Sequence, residues 1–191
     1  MCGEKMSVSL RRMKMMDLME RVCLIGNIDL RRAIIKYIEH NSYLISTTPA
    51  SIAHHHNYKG GLLQHTVEVH DIAVTLAINV RNKDRPIDMD SIRASAILHD
   101  MGKIFLYEAS KDNDGRFYYK SRNKPPDHAV IAVTDFQDVT KYPLPKNIHL
   151  NILSHEGGWS RTGVSPDTLE ASIIASADLV SSRLDNPKWV T

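Results

Sequence analysis

GLLQHTVEVHDIAVTLAINV, residues 61–80, repeats its apolar residues with the period of an α-helix. With His65 set at zero and ~100° per residue, Leu62, Val69, Ile72, Ala73, Leu76 and Val80 fall within about −20° to +80°. Gln64, Glu68, Asp71, Thr75 and Asn79 gather near about −80°, which reads as the solvated side. His65 therefore points inward with the apolar stripe. A lone inward histidine is more often a core residue with one backbone partner than a ligand. Its neighbours in space decide the matter.

Reading outward, RRMKMMDLMERVCL (11–24) forms a Met-rich helix whose Met13, Met16, Leu18 and Met19 are packing residues. Asn27 or Asp29 caps a second helix through Glu39, with Ile34, Ile35 and Ile38 at helical spacing, and Pro49 closes this part. Beyond residue 80, a helix runs from Asp90 to Asp100, where Gly102 stops it. Residues 104–120 break the pattern. There, β-branched and aromatic residues flank an Asp114-Gly115 turn, the signature of a short hairpin. Helical spacing resumes at 126–137, 146–154 and 166–184, with Pro166 suited to a first-turn position. The expected class is all-α: six or seven helices and one short β-hairpin, with no internal repeat.

A chain of 191 residues is sized for one domain, and 42% apolar with 24% charged residues excludes a disordered or fibrous class. A net charge of +2 does not indicate a strongly charged nucleic-acid binder, although it leaves room for a local patch. Cys2 and Cys23 cannot build a disulfide framework or a four-cysteine zinc site, so a reducing cytosol is expected. No apolar run approaches the ~20 residues that cross a bilayer, and the opening residues lack the apolar centre of a secretory signal. Cytoplasmic residence is the expectation. Histidine is the unusual residue: ten, against three Phe and two Trp, with five between Ala53 and Asp71. Clustered histidines in a cysteine-poor chain put metal binding first among the hypotheses.

Two further segments support that hypothesis. His99-Asp100 ends a helix whose Ile92, Ser95 and Ala96 share a face with His99, and Gly102 turns the chain so that both side chains can reach one point. Asp178 lies among Ala171, Ile174, Ala175 and Ser182, a small and mostly apolar seam of its helix without Lys or Arg. An unpaired ionised carboxylate there costs several kcal/mol or is forced to neutralise. A cation removes the difficulty, so His65, His99, Asp100 and Asp178 are expected to converge on a metal. A second doublet, His70-Asp71, lies about 140° and −120° round the helix from His65 and is read as structural or solvent-exposed.

The ordered set His65-T-V-E-V, A-I-L-His99-Asp100-M-G-Lys103 and Asp178 resembles the HD-domain superfamily of metal-dependent phosphohydrolases. GGLLQHT, LHDMGK and LSHEGG…SPDTLEA are especially similar to the HD domain of bacterial 3′–5′ exoribonucleases, and HHHNYKGGLLQHTVEV to HD domains attached to conjugation proteins. The resemblance implies a helical HD domain over residues 51–185, preceded by a helical segment (1–50) packed on it and followed by a tail (186–191). It also implies two more ligands, His128 and His155, holding a second metal. One departure stands out: where the exonuclease-like relatives carry a His-His pair, this chain has His155-Glu156. Either Glu156 supplies oxygen in place of nitrogen, or the second site is weaker. GWSRTGVSP also departs from the relatives' loop, and because the first 50 residues read as helical, the oligonucleotide-binding barrel that often precedes such domains is not expected in them.

Phosphoester hydrolysis needs a nucleophile at neutral pH and stabilisation of phosphoryl charge, both supplied by divalent metals. Imidazole and carboxylate ligands suit Mn, Fe, Co, Ni or Zn, so one or two such ions are expected, Mn or Fe first. Asp100 is the candidate bridge. Lys103, placed at the rim, is assigned by the Gly-Lys resemblance to substrate phosphate and catalysis, while its position alone equally suits a helix-end lysine. His55 and His56 match a His-His pair of the relatives and are candidates for phosphate binding or acid catalysis, against a solvated loop run. Arg161 is a candidate anion binder, and Tyr118 and Tyr119 either stack on a base or pack the hairpin. The favoured function is a phosphodiesterase or nuclease acting on nucleic acid or a cyclic nucleotide. The alternatives are a phosphatase for nucleoside monophosphates or other small phosphate esters, and a non-catalytic metal-stabilised module. The expected partner is a phosphate ester, single-stranded nucleic acid among the candidates, and not a membrane.

Overall fold

The structure is a computed structural model that describes residues 14–84, 86–111, 117–121, 127–157 and 161–184. Among the described residues it has eight α-helices: α1 (Met15–Cys23), α2 (Ile28–His40), α3 (Ser42–Thr47), α4 (Gly61–Val80), α5 (Met89–Leu98), α6 (His128–Thr140), α7 (Lys146–Ser154) and α8 (Leu169–Leu184). A 3₁₀ turn (Met101–Phe105) and an antiparallel hairpin of β1 (Tyr107–Lys111) and β2 (Phe117–Ser121) lie between α5 and α6. The hairpin register runs from Tyr107 opposite Ser121 to Lys111 opposite Phe117. The all-α class with one hairpin is thus what the protein adopts. Residues 11–13, the Asp114-Gly115 turn, Pro126 and the 186–191 tail lie outside the described residues.

Local chemistry accounts for where the elements start and stop. Asn27 caps α2 by accepting from Leu30 N at 3.0 Å, and Asp88 caps α5 by accepting from Asp90 N at 3.0 Å. The last helix begins three residues later than Pro166 suggested, because the Thr168 hydroxyl accepts from Ala171 N at 3.1 Å and takes the capping position itself. The α3 turn was not anticipated. It is six residues long with Ile45 as its one fully buried side chain, too short to show a period.

α4 organises the molecule. It packs against α8 and α5, with α1 and α3 also against it. Its first half enters a core of Leu18, Ile34, Tyr37, Leu62, Val67, Leu98, Phe136 and Ile152. Its second half enters a smaller core of Val69, Ala73, Ala77, Ile92, Ala96 and Ile174. His65 stands in the first half, near the change-over. Two glycines bring backbone close to this region. A Cβ on Gly61 would fall on the carbonyl of His56, and one on Gly102 would fall on the carbonyl of His128. Gly61 thereby admits the histidine loop to the start of α4, and Gly102 admits the start of α6 to the turn after α5. No described helix is long and apolar enough to cross a membrane.

Candidate metal centre

Four separate elements deliver buried imidazoles to one point. His65 comes from the second turn of α4, His99 caps the end of α5, His128 opens α6 and His155 caps the end of α7. All four are buried, and Asp100, one residue past α5, is buried between them. Asp178, on α8, closes the group with its side chain 20% exposed.

The hydrogen bonds fix which ring nitrogen faces the centre. His99 Nδ1 lies 2.8 Å from the carbonyl of Ala96, and His155 Nδ1 lies 2.7 Å from that of Ile152. A carbonyl only accepts, so both Nδ1 atoms carry hydrogen. Ser181 donates its one hydroxyl hydrogen to Glu68 Oε2 at 2.8 Å, so its oxygen accepts from His65 Nδ1 at 2.9 Å. In each case Nε2 is the atom turned towards Asp100. This pattern of outer partners is the one that orients metal-binding histidines.

Asp100 divides its two oxygens. Oδ2 lies 3.3 Å from His65 Nε2 and 3.5 Å from His99 Nε2. Oδ1 lies 3.1 Å from His128 Nε2 and 3.5 Å from His155 Nε2. Asp178 Oδ1 completes the first half, 3.0 Å from His65 Nε2 and 4.0 Å from His99 Nε2. Glu156 borders the second, with Oε1 3.9 Å from His128 Nε2. Within the halves, His65 and His99 Nε2 are 3.4 Å apart, and His128 and His155 Nε2 are 3.1 Å apart.

Such crowding needs a positive charge. Asp100 Oδ1 is buried without a well-formed hydrogen bond among the described residues. Although burial opposes the charge, hydrogen bonds to Asp100 and Asp178 push His65 up to about 9. Burial holds His99 down at about 3, with the His155 charge adding to it. Burial works against ionisation of Asp100 as well, but the Lys103 ammonium and the surrounding imidazoles keep its carboxyl well below the usual range. A divalent cation meets the same need with better geometry, displacing the shared proton on His65 and receiving lone pairs from Nε2. The donor set fits one: in each of four groups among the described residues the ligand atoms lie within 4.8 Å of one another, namely His55, His56 and His65; His65, His99 and Asp178; His99, Asp100 and His155; and His128, His155 and Glu156.

A model of the HD domain matches residues 62–183, the stretch from α4 to α8 that carries all six of these side chains and Glu156. The chain belongs to the HD-domain family. It is 30% identical over 170 residues to the dihydroneopterin 2′,3′-cyclic phosphate phosphodiesterase of Methanocaldococcus jannaschii, a match that covers 83% of this chain and 65% of that protein. The chain thus spans about two-thirds of its curated relative's length, and just under. No solved structure shows significant similarity.

Two sequence readings change. Lys103 is not at a rim: its side chain is 13% exposed and its Nζ sits 2.6 Å from Asp100 Oδ2. Burial disfavours its charge, yet Asp100 and Asp178 hold the ammonium above its ordinary range. The supposed wet side of α4 is wet only towards its C-terminus. Gln64 is buried, and Glu68 accepts from His56 Nε2 at 3.1 Å, Gln64 Nε2 at 2.7 Å and Ser181. Arg161 is exposed, and no hydrogen bond or ion pair among the described residues ties it to the cluster. The histidine loop does reach the centre. The His55 ring lies 4.9 Å and the His56 ring 5.5 Å from that of His65, while His54 is exposed. His56 has φ of +49°, a conformation costly for a side chain and held here by the buried contact with Glu68. His70-Asp71 is structural: His70 is buried with Nδ1 2.8 Å from Asp71, and Asp71 receives Arg21 at 2.8 Å. Glu68 and Ser181 were missed as outer partners. Their signal was the spacing, each three residues after a ligand candidate on the same helix.

Proposed function

We propose that this protein is a metal-dependent phosphodiesterase in which His65, His99 and Asp178 bind one ion, His128, His155 and Glu156 a second, and Asp100 both. The observation that carries the reading is the divided carboxylate of Asp100, with one oxygen turned to each half of the cluster. Divalent metals bound there supply Lewis acidity towards phosphoryl oxygens and lower the pKa of water towards ~7. The imidazole and carboxylate donors favour Mn or Fe, with Co, Ni and Zn next. Glu156 takes the place of a nitrogen ligand in this scheme.

The chain's own groups do the rest. The five buried donors, His65, His99, Asp100, His128 and His155, would hold the ions apart from bulk solvent, and the half-buried Asp178 and Glu156 would stand towards the side from which a phosphate enters. Lys103 balances the charge of Asp100 and offers an ammonium beside the phosphoryl oxygens. His56, anchored by Glu68, holds His55 through an Nδ1–Nδ1 contact of 3.1 Å, so that His55 stands next to His65 where a substrate meets the cluster. The named activity of the archaeal relative, hydrolysis of a 2′,3′-cyclic phosphate, favours a strained cyclic diester over a long polynucleotide.

The test is a screen of chelator-treated protein, reloaded with each metal, against 2′,3′-cyclic nucleotides, bis(p-nitrophenyl) phosphate, nucleoside monophosphates, single-stranded RNA and single-stranded DNA. Cyclic or model diesters are expected to be hydrolysed only after reloading. Hydrolysis confined to monoesters would transfer the protein to the phosphatases, and no hydrolysis with any metal would leave a metal-stabilised module.

A further inference from the structure

Five of the seven tyrosines in the chain line one cavity of about 1020 Å³. Tyr43 comes from α3, Tyr58 from the histidine loop, and Tyr107, Tyr118 and Tyr119 from the hairpin. Three elements far apart in sequence therefore present the same side chain to one space. Packing does not require it, since Tyr43 is 75% and Tyr118 45% exposed. Tyr119 has a different duty. Its hydroxyl donates to the Thr47 carbonyl at 2.8 Å and fastens the hairpin to α3, so the cavity has fixed walls.

Two of the lining tyrosines lead from the cavity towards the metal centre. The Tyr58 ring lies 6.0 Å from that of His56, tilted by 52°, and His56 belongs to the loop placed against His65. Tyr107 follows the turn that carries Lys103, and it lies within the field of Lys103, Asp100 and Glu156. A ring held against the tyrosines therefore lies beside the histidine loop and the turn after α5, the two segments that border the cluster. The volume stands at the upper limit of the range of about 300–1,000 Å³ in which small ligands are held.

We propose that this cavity receives a planar heteroaromatic ring of a small phosphate ester, such as a purine nucleoside cyclic phosphate, while the phosphate lies at the cluster. The assignment rests on the hydrolase reading for its phosphate arm and on the tyrosines for its ring. Tyrosine faces stack on any flat π-system, and a neutral ring needs no counter-charge. Among the described residues, Lys59 is the single Lys or Arg in the lining, and Glu108 stands in the same wall. A polynucleotide track would carry a row of cations to follow the backbone. The wall observed here suits a mononucleotide-sized ligand.

Adenosine, which has the ring and no phosphate, isolates this claim from the hydrolase reading. It is titrated into the full chain, with and without Zn²⁺, while the tyrosine ring resonances are followed by NMR. Saturable shifts of Tyr43 and Tyr118 are expected in both conditions. Tyr118→Ala and Tyr43→Ala, both at exposed positions, are each expected to weaken adenosine at least about 5-fold, the lower end for losing one stacking ring. Adenosine binding that both substitutions leave unchanged would overturn the proposal, as would the absence of shifts up to ~10 mM. Hydrolysis of bis(p-nitrophenyl) phosphate by the metal-loaded wild-type chain reports on the hydrolase reading alone, so the two can fail separately.

Discussion

Ser181→Ala removes one oxygen, and its consequence can be worked out bond by bond. The hydroxyl is fully buried, accepts from His65 Nδ1 at 2.9 Å and donates to Glu68 Oε2 at 2.8 Å. Alanine leaves His65 Nδ1–H without its acceptor and Glu68 without one of its three donors. An unsatisfied buried donor costs about 1–3 kcal/mol. The imidazole escapes that cost by turning or by moving its proton to Nε2, and either change spoils the atom offered to metal. Loss of such an outer partner typically lowers metal affinity about 10–100-fold, or about 1.4–2.7 kcal/mol. The assay is competition for Zn²⁺ against a chromophoric chelator, with thermal unfolding of the metal-free variant alongside to separate site damage from loss of fold. Metal affinity within about twofold of wild type, in a variant that folds, would refute the reasoning. Ser181 would then be a packing residue and the His65 tautomer would be set elsewhere.

Asp100→Ala strikes both halves of the cluster and should abolish hydrolysis of every substrate and reduce bound metal, read by activity and elemental analysis. Lys103→Ala should retain metal, because it removes a cation competing for Asp100 Oδ2, and should lower turnover about 10–10³-fold; metal loss in that variant would count against it. Away from the site, burial works against Asp71 ionisation, but His70 and Arg21 hold its carboxyl down at about 2. Its folded pKa is depressed, so its contribution is present above the unfolded value of about 3.9 and fades as pH falls from there through about 2. Asp71 is about half exposed, which limits the contribution to about 0.5–1 kcal/mol. Asp71→Asn should therefore lower the melting temperature at pH 7 and make little difference near pH 2.

The helical periods that carry His65 and Asp178 were legible because α4 and α8 run for several turns and each shows one apolar side. The same wheel misassigned Glu68 to solvent. A wheel records what a residue prefers on average, whereas the start of α4 is covered on nearly every side by the histidine loop, α3 and α8. Lys103 was misplaced for a related reason. The residues after Asp100 wind as a 3₁₀ turn, which aims the lysine back at the carboxylate three positions earlier. The ligand role of His128 was implied by resemblance alone, since a histidine opening a helix shows no period. Its position depends on Gly102, whose missing Cβ lets α6 start against the turn. Of the tyrosine cavity only Tyr118 and Tyr119 were singled out as stacking candidates, because its walls come from three elements whose mutual approach is tertiary.

The measurement closest to the central claim is an anomalous-difference map from crystals of the full chain grown with Mn²⁺. Two peaks about 3.5–4 Å apart are expected, with the Asp100 carboxylate between them, one beside His65 and Asp178 and the other beside His128 and His155. A single peak, or two peaks that leave Asp100 outside their coordination, would contradict the divided carboxylate as the basis of catalysis.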